Sequence, residues 1–225
     1  MKILLIIGSI IINFCQSAAQ SLLIQGHTTN TSIKYIELFK YQNPTNLEFI
    51  TRISIIDSKF ICRVNTNEED MYLIQNNLDK HSFLFVLTDN INIEIDTIFE
   101  KPKISNSNLN NEWLNYSDDT QKLFFEPIRN IDVKIESYFK VNNYNKVKVD
   151  SLRREKSKLW DKNYKDFEVF NENYIKKNTD SFISLYLLSQ MYGFDTVPPI
   201  AKELYTILSQ RLKQHSRSKI FHPKN

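Results

Sequence analysis

Glycine is almost missing from this sequence: Gly8, Gly26 and Gly193 are the only three in 225 residues. A loop that cradles phosphate needs close-set glycines so that backbone N–H groups can converge on the anion, and no stretch provides them. Gly8-Ser9 is the only glycine beside a serine, which leaves no strand-to-helix nucleophile elbow. Cysteine is equally sparse. Cys15 and Cys62 are the whole complement, so there is no C-x-x-C redox pair and no thiolate-rich metal spacing. The four histidines, His27, His81, His215 and His222, stand apart from one another, and none lies in H-E-x-x-H. Beyond the first twenty residues no apolar run is long enough for a transmembrane helix. These absences assign no catalytic residue, no metal ligand and no cofactor site, and the expectation is a protein that is not an enzyme.

Two features come nearest to chemistry. Glu94 and Asp96 in INIEID share one face of a strand, as a paired-carboxylate site requires; the same spacing is what a solvent face produces, and that is the reading preferred. Asp118 and Asp119 read as first-turn helix residues favoured by the dipole. Tyr35, Tyr72 and Tyr116 could line a groove only if the fold brings them together.

What is present starts with MKILLIIGSIIINFCQSAAQ. One lysine, an apolar core and the small residues Ser17-Ala18-Ala19 follow the order of a secretory signal peptide. Residues 1–19 are read so, with cleavage after Ala19 and Gln20 leading the mature chain; a buried first strand is the bland alternative. Cys15 offers a second alternative as a lipid-attachment site, although Ile12-Asn13-Phe14 lacks the small residues such a site carries. Membrane association is expected only through a lipidated Cys15. Export leaves Cys62 as the single mature thiol, without an internal disulfide partner. In the alternating run FICRV it reads as a core thiol if it shares the face of Phe60, and as a reactive or intermolecular thiol if it does not.

From residue 20 to 104 the chain divides into short segments of period two: SLLIQG, SIKYIELFKY, FITRISII, KFICRV, MYLIQN, SFLFVL and INIEIDTIF. Turn-forming residues separate them. With no helical period between them, the segments predict an antiparallel, sandwich-like β domain. An Asn- and Ser-rich bridge follows at 105–117, then a helical region at 118–225 with a basic tail. The fold class is α+β.

In the helical region, Leu123, Ile128, Ile131, Ile135 and Phe139 mark one helix, started or bent by Pro127. Leu152, Leu159, Tyr164, Phe167, Phe170, Tyr174 and Ile175 mark a second, antiparallel to the first. Asn178 ends it, and Asp180 or Ser181 caps a third carrying Phe182, Leu185, Tyr186, Leu188 and Ser189, which Gly193 stops. Thr196 is the candidate cap of a last helix with prolines in its first turn and a stripe of Ile200, Leu204, Ile207, Leu208 and Leu212.

Charge is uneven. Residues 20–117 hold 8 Lys and Arg against 12 Asp and Glu, and residues 118–225 hold 20 against 14. The basic excess suits acidic partners or membrane phosphates. Nucleic acid is not an expected partner of an exported chain, and Arg153, Arg154, Lys156, Lys158, Lys162 and Lys165 read as a solvated face interrupted by Glu155 and Asp161.

Four stretches in this order carry a resemblance: the strand Leu23-Ile24-Gln25-Gly26, the hairpin Asp57-Ser58-Lys59-Phe60, the junction SNSNLNNEWLNY, and Tyr174 to Leu188 around Asn178-Thr179-Asp180-Ser181. Leu204-Tyr205 and Ser216-Arg217-Ser218-Lys219 extend it. The chain is similar to the N-terminal region, of unknown role, that precedes the thioredoxin-like domain in exported TlpA/ResA-type disulfide reductases of Bacteroidetes. It departs from that pattern at Ser58 and Ser218, which replace glycines, and at Thr179, which replaces proline. Asp-Ser is a weaker tight-turn signal than Asp-Gly, so a longer or different turn is expected there. In those reductases the thioredoxin-like domain would follow shortly after the position of Phe221, and the expectation here is the accessory part without the redox part. The resemblance implies a non-catalytic periplasmic or cell-envelope protein, an interaction or accessory module with an envelope protein as partner. The alternative is an accessory component of a thiol-disulfide exchange system whose chemistry a separate thioredoxin-like protein supplies.

Overall fold

The computed structural model describes residues 20–96, 98–140, 145–192 and 197–222. The expected signal peptide with Cys15, the stop at Gly193 and the cap at Thr196 lie outside the described residues. The α+β fold class holds: two mostly antiparallel four-stranded sheets come first, and a helical region follows. The strands are β1 (Gln20–Thr28), β2 (Tyr35–Asn43), β3 (Asn46–Ser54), β4 (Lys59–Thr66), β5 (Asp70–Asn76), β6 (Ser82–Leu87), β7 (Ile91–Ile95) and β8 (Lys103–Ser105). One sheet runs β4-β1-β7-β8 and the other β3-β2-β5-β6. The β1–β7 pair is parallel, with Ile24 opposite Ile91, a departure from the purely antiparallel expectation.

The period-two segments bury one face each, Ile91, Ile93 and Ile95 on β7 being the clearest case. Strand β5 differs: six of its seven residues are buried. Tyr72 and Ile74 enter the core between the sheets with Ile24, Ile36, Leu38 and Phe85. Met71 and Leu73 face the opposite way, into a second core with Val86, Phe182, Leu185, Leu204 and Leu212. The molecule therefore has three layers, sheet on sheet on helices, and β5 and β6 of the second sheet are covered on both faces.

The turn from Ile56 to Lys59 is a tight two-residue one after all. Asp57 and Ser58 sit at φ 50° and 62°, and Ile56 and Lys59 exchange both backbone hydrogen bonds at 2.9 Å. Two successive positive φ values define the mirror-image turn that suits strand twist, and Ser58 adopts the conformation in which glycine is usual.

Helix α1 (Asn108–Thr120) begins ten residues earlier than expected, inside the Asn-rich bridge. Ser107 caps it, its Oγ accepting from the Asn110 N–H. Asn110 explains the position. Fully buried, it accepts from the Val86 N–H at 2.8 Å and donates to the Val86 carbonyl at 2.7 Å, while Trp113 Nε1 donates to the Leu84 carbonyl. The side chains of α1 thus pair the open edge of β6, a place where unsatisfied backbone groups would otherwise invite another strand. Asp118 and Asp119 consequently fall in the last turn of α1, not in a first turn.

A π-helical turn at Gln121–Phe125 joins α1 to α2 (Glu126–Lys140), the Glu126 N–H reaching back to the Gln121 carbonyl. Pro127 accounts for it: a proline has no N–H to donate and its ring crowds the carbonyl four residues earlier, so the helix widens locally. The extra residue shifts the helical phase. Phe124 turns inward and Leu123, expected on the buried stripe, is 55% exposed.

Helix α3 (Lys146–Lys177) lies antiparallel to this rod, as expected. Glu112 meets Tyr174, Tyr116 meets Asn171 at 2.5 Å, Asn163 donates to the Phe124 carbonyl at 2.6 Å, and Asp132 meets Lys156 at 2.6 Å; residue numbers rise on one rod as they fall on the other. Helix α4 (Phe182–Tyr192) is buried all round from Phe182 to Ser189, wider than the expected stripe and typical of a central core helix. Ser181 precedes it, its Oγ accepting from the Ile183 N–H at 3.2 Å. Ser181→Ala is expected to lower stability by about 0.5–2 kcal/mol, the usual cost of a lost N-cap, read as a shift in urea midpoint at constant slope.

The last expected helix divides into α5 (Pro199–Ile207), α6 (Gln210–Gln214) and a 3₁₀ segment at Ser216–Phe221. Ser209 causes the first break: its N–H donates to the Thr179 carbonyl and its hydroxyl caps α6.

Candidate functional site

Groups capable of chemistry are dispersed. His27 faces Glu94 at 3.7 Å and His81 faces Glu100 at 2.8 Å, both on the surface. His222 meets the Tyr205 hydroxyl at 3.1 Å. Glu94 lies on the solvent side of β7, and Asp96, exposed just past the end of that strand, accepts from Thr29 Oγ1. The three tyrosines do not share a groove. Tyr35 stacks beneath Arg52, Tyr72 is in the sandwich core and Tyr116 is in the helical layer. Among the described residues no group of three or more His, Cys, Asp or Glu is placed to hold a metal ion, and no helix is long and apolar enough to cross a membrane.

Cys62 shares the inward face with Phe60 and Val64 on the edge strand β4, half-buried against the sandwich core. Burial pushes its thiol up from the ordinary value, which disfavours the thiolate that exchange chemistry needs. It lines a cleft of about 710 Å³ between the edge strands β3 and β4, with His27, Arg52 and Lys59 at the rim.

A cluster that the sequence reading did not anticipate fastens the C-terminal segment to the second sheet. Asp70, 1% exposed, receives Arg217 Nε at 2.8 Å and Lys40 Nζ at 3.0 Å. Arg217, itself buried, also donates to the Tyr41 and Gln42 carbonyls. His215 Nδ1 accepts from the Arg217 N–H, leaving Nε2–H to donate to the Glu69 carbonyl at 2.7 Å. Glu69 meets Arg211, and Glu68 meets Ser216. Burial pulls the Lys40 ammonium down, but the Asp70 carboxylate outweighs it and the net shift is upward. Each guanidinium nitrogen of Arg217 is held by a protein group, so this cluster acts as a clasp between the C-terminal segment and the second sheet.

The surface that stands out is the far half of the helical rods. The near half, α1 and the C-terminal part of α3, packs on β6, α4 and α5. Helix α2 packs chiefly on α3 and the π turn, so among the described residues α2 and the N-terminal half of α3 form a two-helix arm without a third layer. Its seam holds Phe124, Ile128, Ile131 and Val149. Beside the seam Trp160 is 50% exposed, Tyr164 59% and Phe125 40%. With Phe124, Ile128, Asn163 and Phe167 they line an apolar recess of about 140 Å³. The periodicity placed Tyr164 on the buried stripe, yet α3 buries Asn163, half-buries Phe167 and turns Tyr164 outward with Trp160. The signal was available: Trp160 and Tyr164 are four residues apart and hence neighbours on a helix surface, one step off the stripe.

Comparison with known proteins leaves the class at the level of this architecture. No family model matches the chain, and no curated protein matches it. Among solved structures, the crystal structure of (S)-allantoin synthase matches with a TM-score of 0.31 at 10% identity, taking in 39% of this chain and 44% of that one.

Proposed function

We propose that this chain is a non-catalytic, exported cell-envelope protein whose helical arm binds another envelope protein. The observation that carries the reading is the exposure of Trp160, Tyr164 and Phe125 around one recess; Val133 and Val147 are also exposed on the two-helix arm, but they do not line it. Folding leaves single apolar residues on any surface, but a set of aromatics rimming a recess is characteristic of interaction sites. Export rests on the signal-like order of residues 1–19. A second reading, an accessory role beside a separate thioredoxin-like protein, rests on the resemblance in the motifs from Leu23 to Lys219. Under either reading the redox step belongs to the partner, because a mixed disulfide on Cys62 would need a second thiol to resolve it.

The test is recovery of the tagged full-length chain from the native envelope after brief crosslinking. A partner retained by the natural chain and by Cys62→Ser, but lost in the folded double variant Trp160→Ala/Tyr164→Ala, is the expected result. The purified chain is expected to reduce insulin no faster than dithiothreitol alone. Turnover that disappears in Cys62→Ser would overturn the non-catalytic reading.

A further inference from the structure

The arm's own charge narrows what it binds. Between Glu126 and Lys162 the chain carries 10 Lys and Arg against 6 Asp and Glu. Arg153, Trp160 and Tyr164 stand at spacings of seven and four on α3 and so share a flank, next to Phe125 across the seam. Two antiparallel helices leave an open groove along each flank, and on this one the groove holds an apolar recess. Its size, about 140 Å³, is that of a cavity which takes a benzene-sized group, so it suits one large apolar side chain.

From these features we infer that the Trp160 flank is the docking site for an acidic amphipathic helix of another protein, which lies along α2 and α3 as a third helix. An apolar residue of that helix fills the recess, and its carboxylates meet the arm's basic excess; this is recognition of a helix in a groove. A second copy of this chain is disfavoured because two arms of the same net sign would be brought together. A flat anionic bilayer would satisfy the charge but not fill the recess between Phe125, Trp160 and Tyr164. The inference rests on the interaction reading above and adds the chemistry of the partner.

The experiment uses the full chain and a fluorescent synthetic helix with leucines on one face and glutamates on the other, beside a counterpart with lysine at every glutamate position. Anisotropy is expected to show binding of the glutamate peptide, weakened about tenfold or more by Trp160→Ala, as for a central aromatic anchor, and weakened again as salt is raised. Trp160 is half-exposed, and circular dichroism checks that the variant is folded. Equal binding of the lysine peptide would overturn the inference. So would uptake by phosphatidylglycerol vesicles without peptide binding, or self-association that Trp160→Ala abolishes. If the glutamate peptide fails while a native partner is still captured through Trp160, the acidic-helix inference falls and the interaction reading stands. If native capture does not depend on Trp160, both fall.

Discussion

Asp70→Ala is expected to destabilise the protein by about 3–5 kcal/mol, the range found when one member of a buried ion pair is removed. Arg217 and Lys40 would both lose their counter-ion, and Arg217 is only 8% exposed. Water cannot readily replace the carboxylate there, since Tyr41, Tyr186 and Phe182 surround the clasp. Arg217→Met should cost less. It leaves Asp70 paired with Lys40 at 3.0 Å and puts an apolar side chain of similar length into an apolar setting, although the Tyr41 and Gln42 carbonyls lose a donor. The ranking is the test. Urea melts in which Arg217→Met is the worse variant, or in which Asp70→Ala loses under about 1 kcal/mol, would show the clasp to be solvated. The clasp also has a defined pH response. The pKa of Lys40 is raised in the folded state, so its contribution is fully present below the ordinary lysine range and is lost only as pH climbs through the raised value. Between pH 6 and 9 the cost of Asp70→Ala should therefore vary little with Lys40.

Because the clasp joins residues 68–70 to residues 211–217, Asp70→Ala should also loosen the C-terminal segment before the sandwich. Proteolysis in native buffer is expected to cut first between α5 and Phe221. Helix α4 lies against the same segment, with Phe182 on the His215 ring, so the loss spreads into the second core instead of remaining a frayed end.

How much of this was legible in the sequence depends on the range of the interactions. The seven period-two segments all became strands, because alternation is imposed locally by the pleat and by one buried face. Strand β8 was missed, being three residues long with one buried side chain. The start of α1 was missed for a different reason: Asn110 is chosen for the edge of β6, a contact 24 residues away, and locally the same residue reads as loop. Pro127 did signal a disturbance, but only the π turn fixed which neighbour of Leu123 would face inward. In the candidate site, the exposure of Trp160 follows from the packing and not from the helix: among the described residues no third layer lies beside the arm. Likewise Glu68-Glu69-Asp70 looks like a polar turn, and nothing nearby in the sequence announces that Arg217 will be buried against it.

The other large effect concerns the glycine of the opening strand. Gly26 has no positive φ, so conformation alone would favour alanine, by about 0.4–1 kcal/mol through the unfolded chain. Space decides otherwise. Strand β1 is flanked by β4 and β7, with Gly26 opposite Phe60 on one side and Ile93 on the other. A Cβ built on Gly26 would lie 2.0 Å from the Ile93 carbonyl oxygen and 2.5 Å from Phe60 Cζ. Phe60 is 3% exposed and fixed in the sandwich core, and the Ile93 oxygen is backbone in the adjoining parallel strand; neither can yield by rotating a flexible end. Gly26→Ala should thus exceed the usual overpacking cost of 1–3 kcal/mol, at about 3 kcal/mol or more, by forcing β1 and β7 apart. Phe60→Leu added to it relieves only the ring contact, and because the carbonyl clash remains the double variant should recover little. Urea melts and amide exchange along β1 and β7 measure this. A neutral or stabilising Gly26→Ala would mean that the parallel pair tolerates a side chain at this register, and that the strand glycine is not there for close approach.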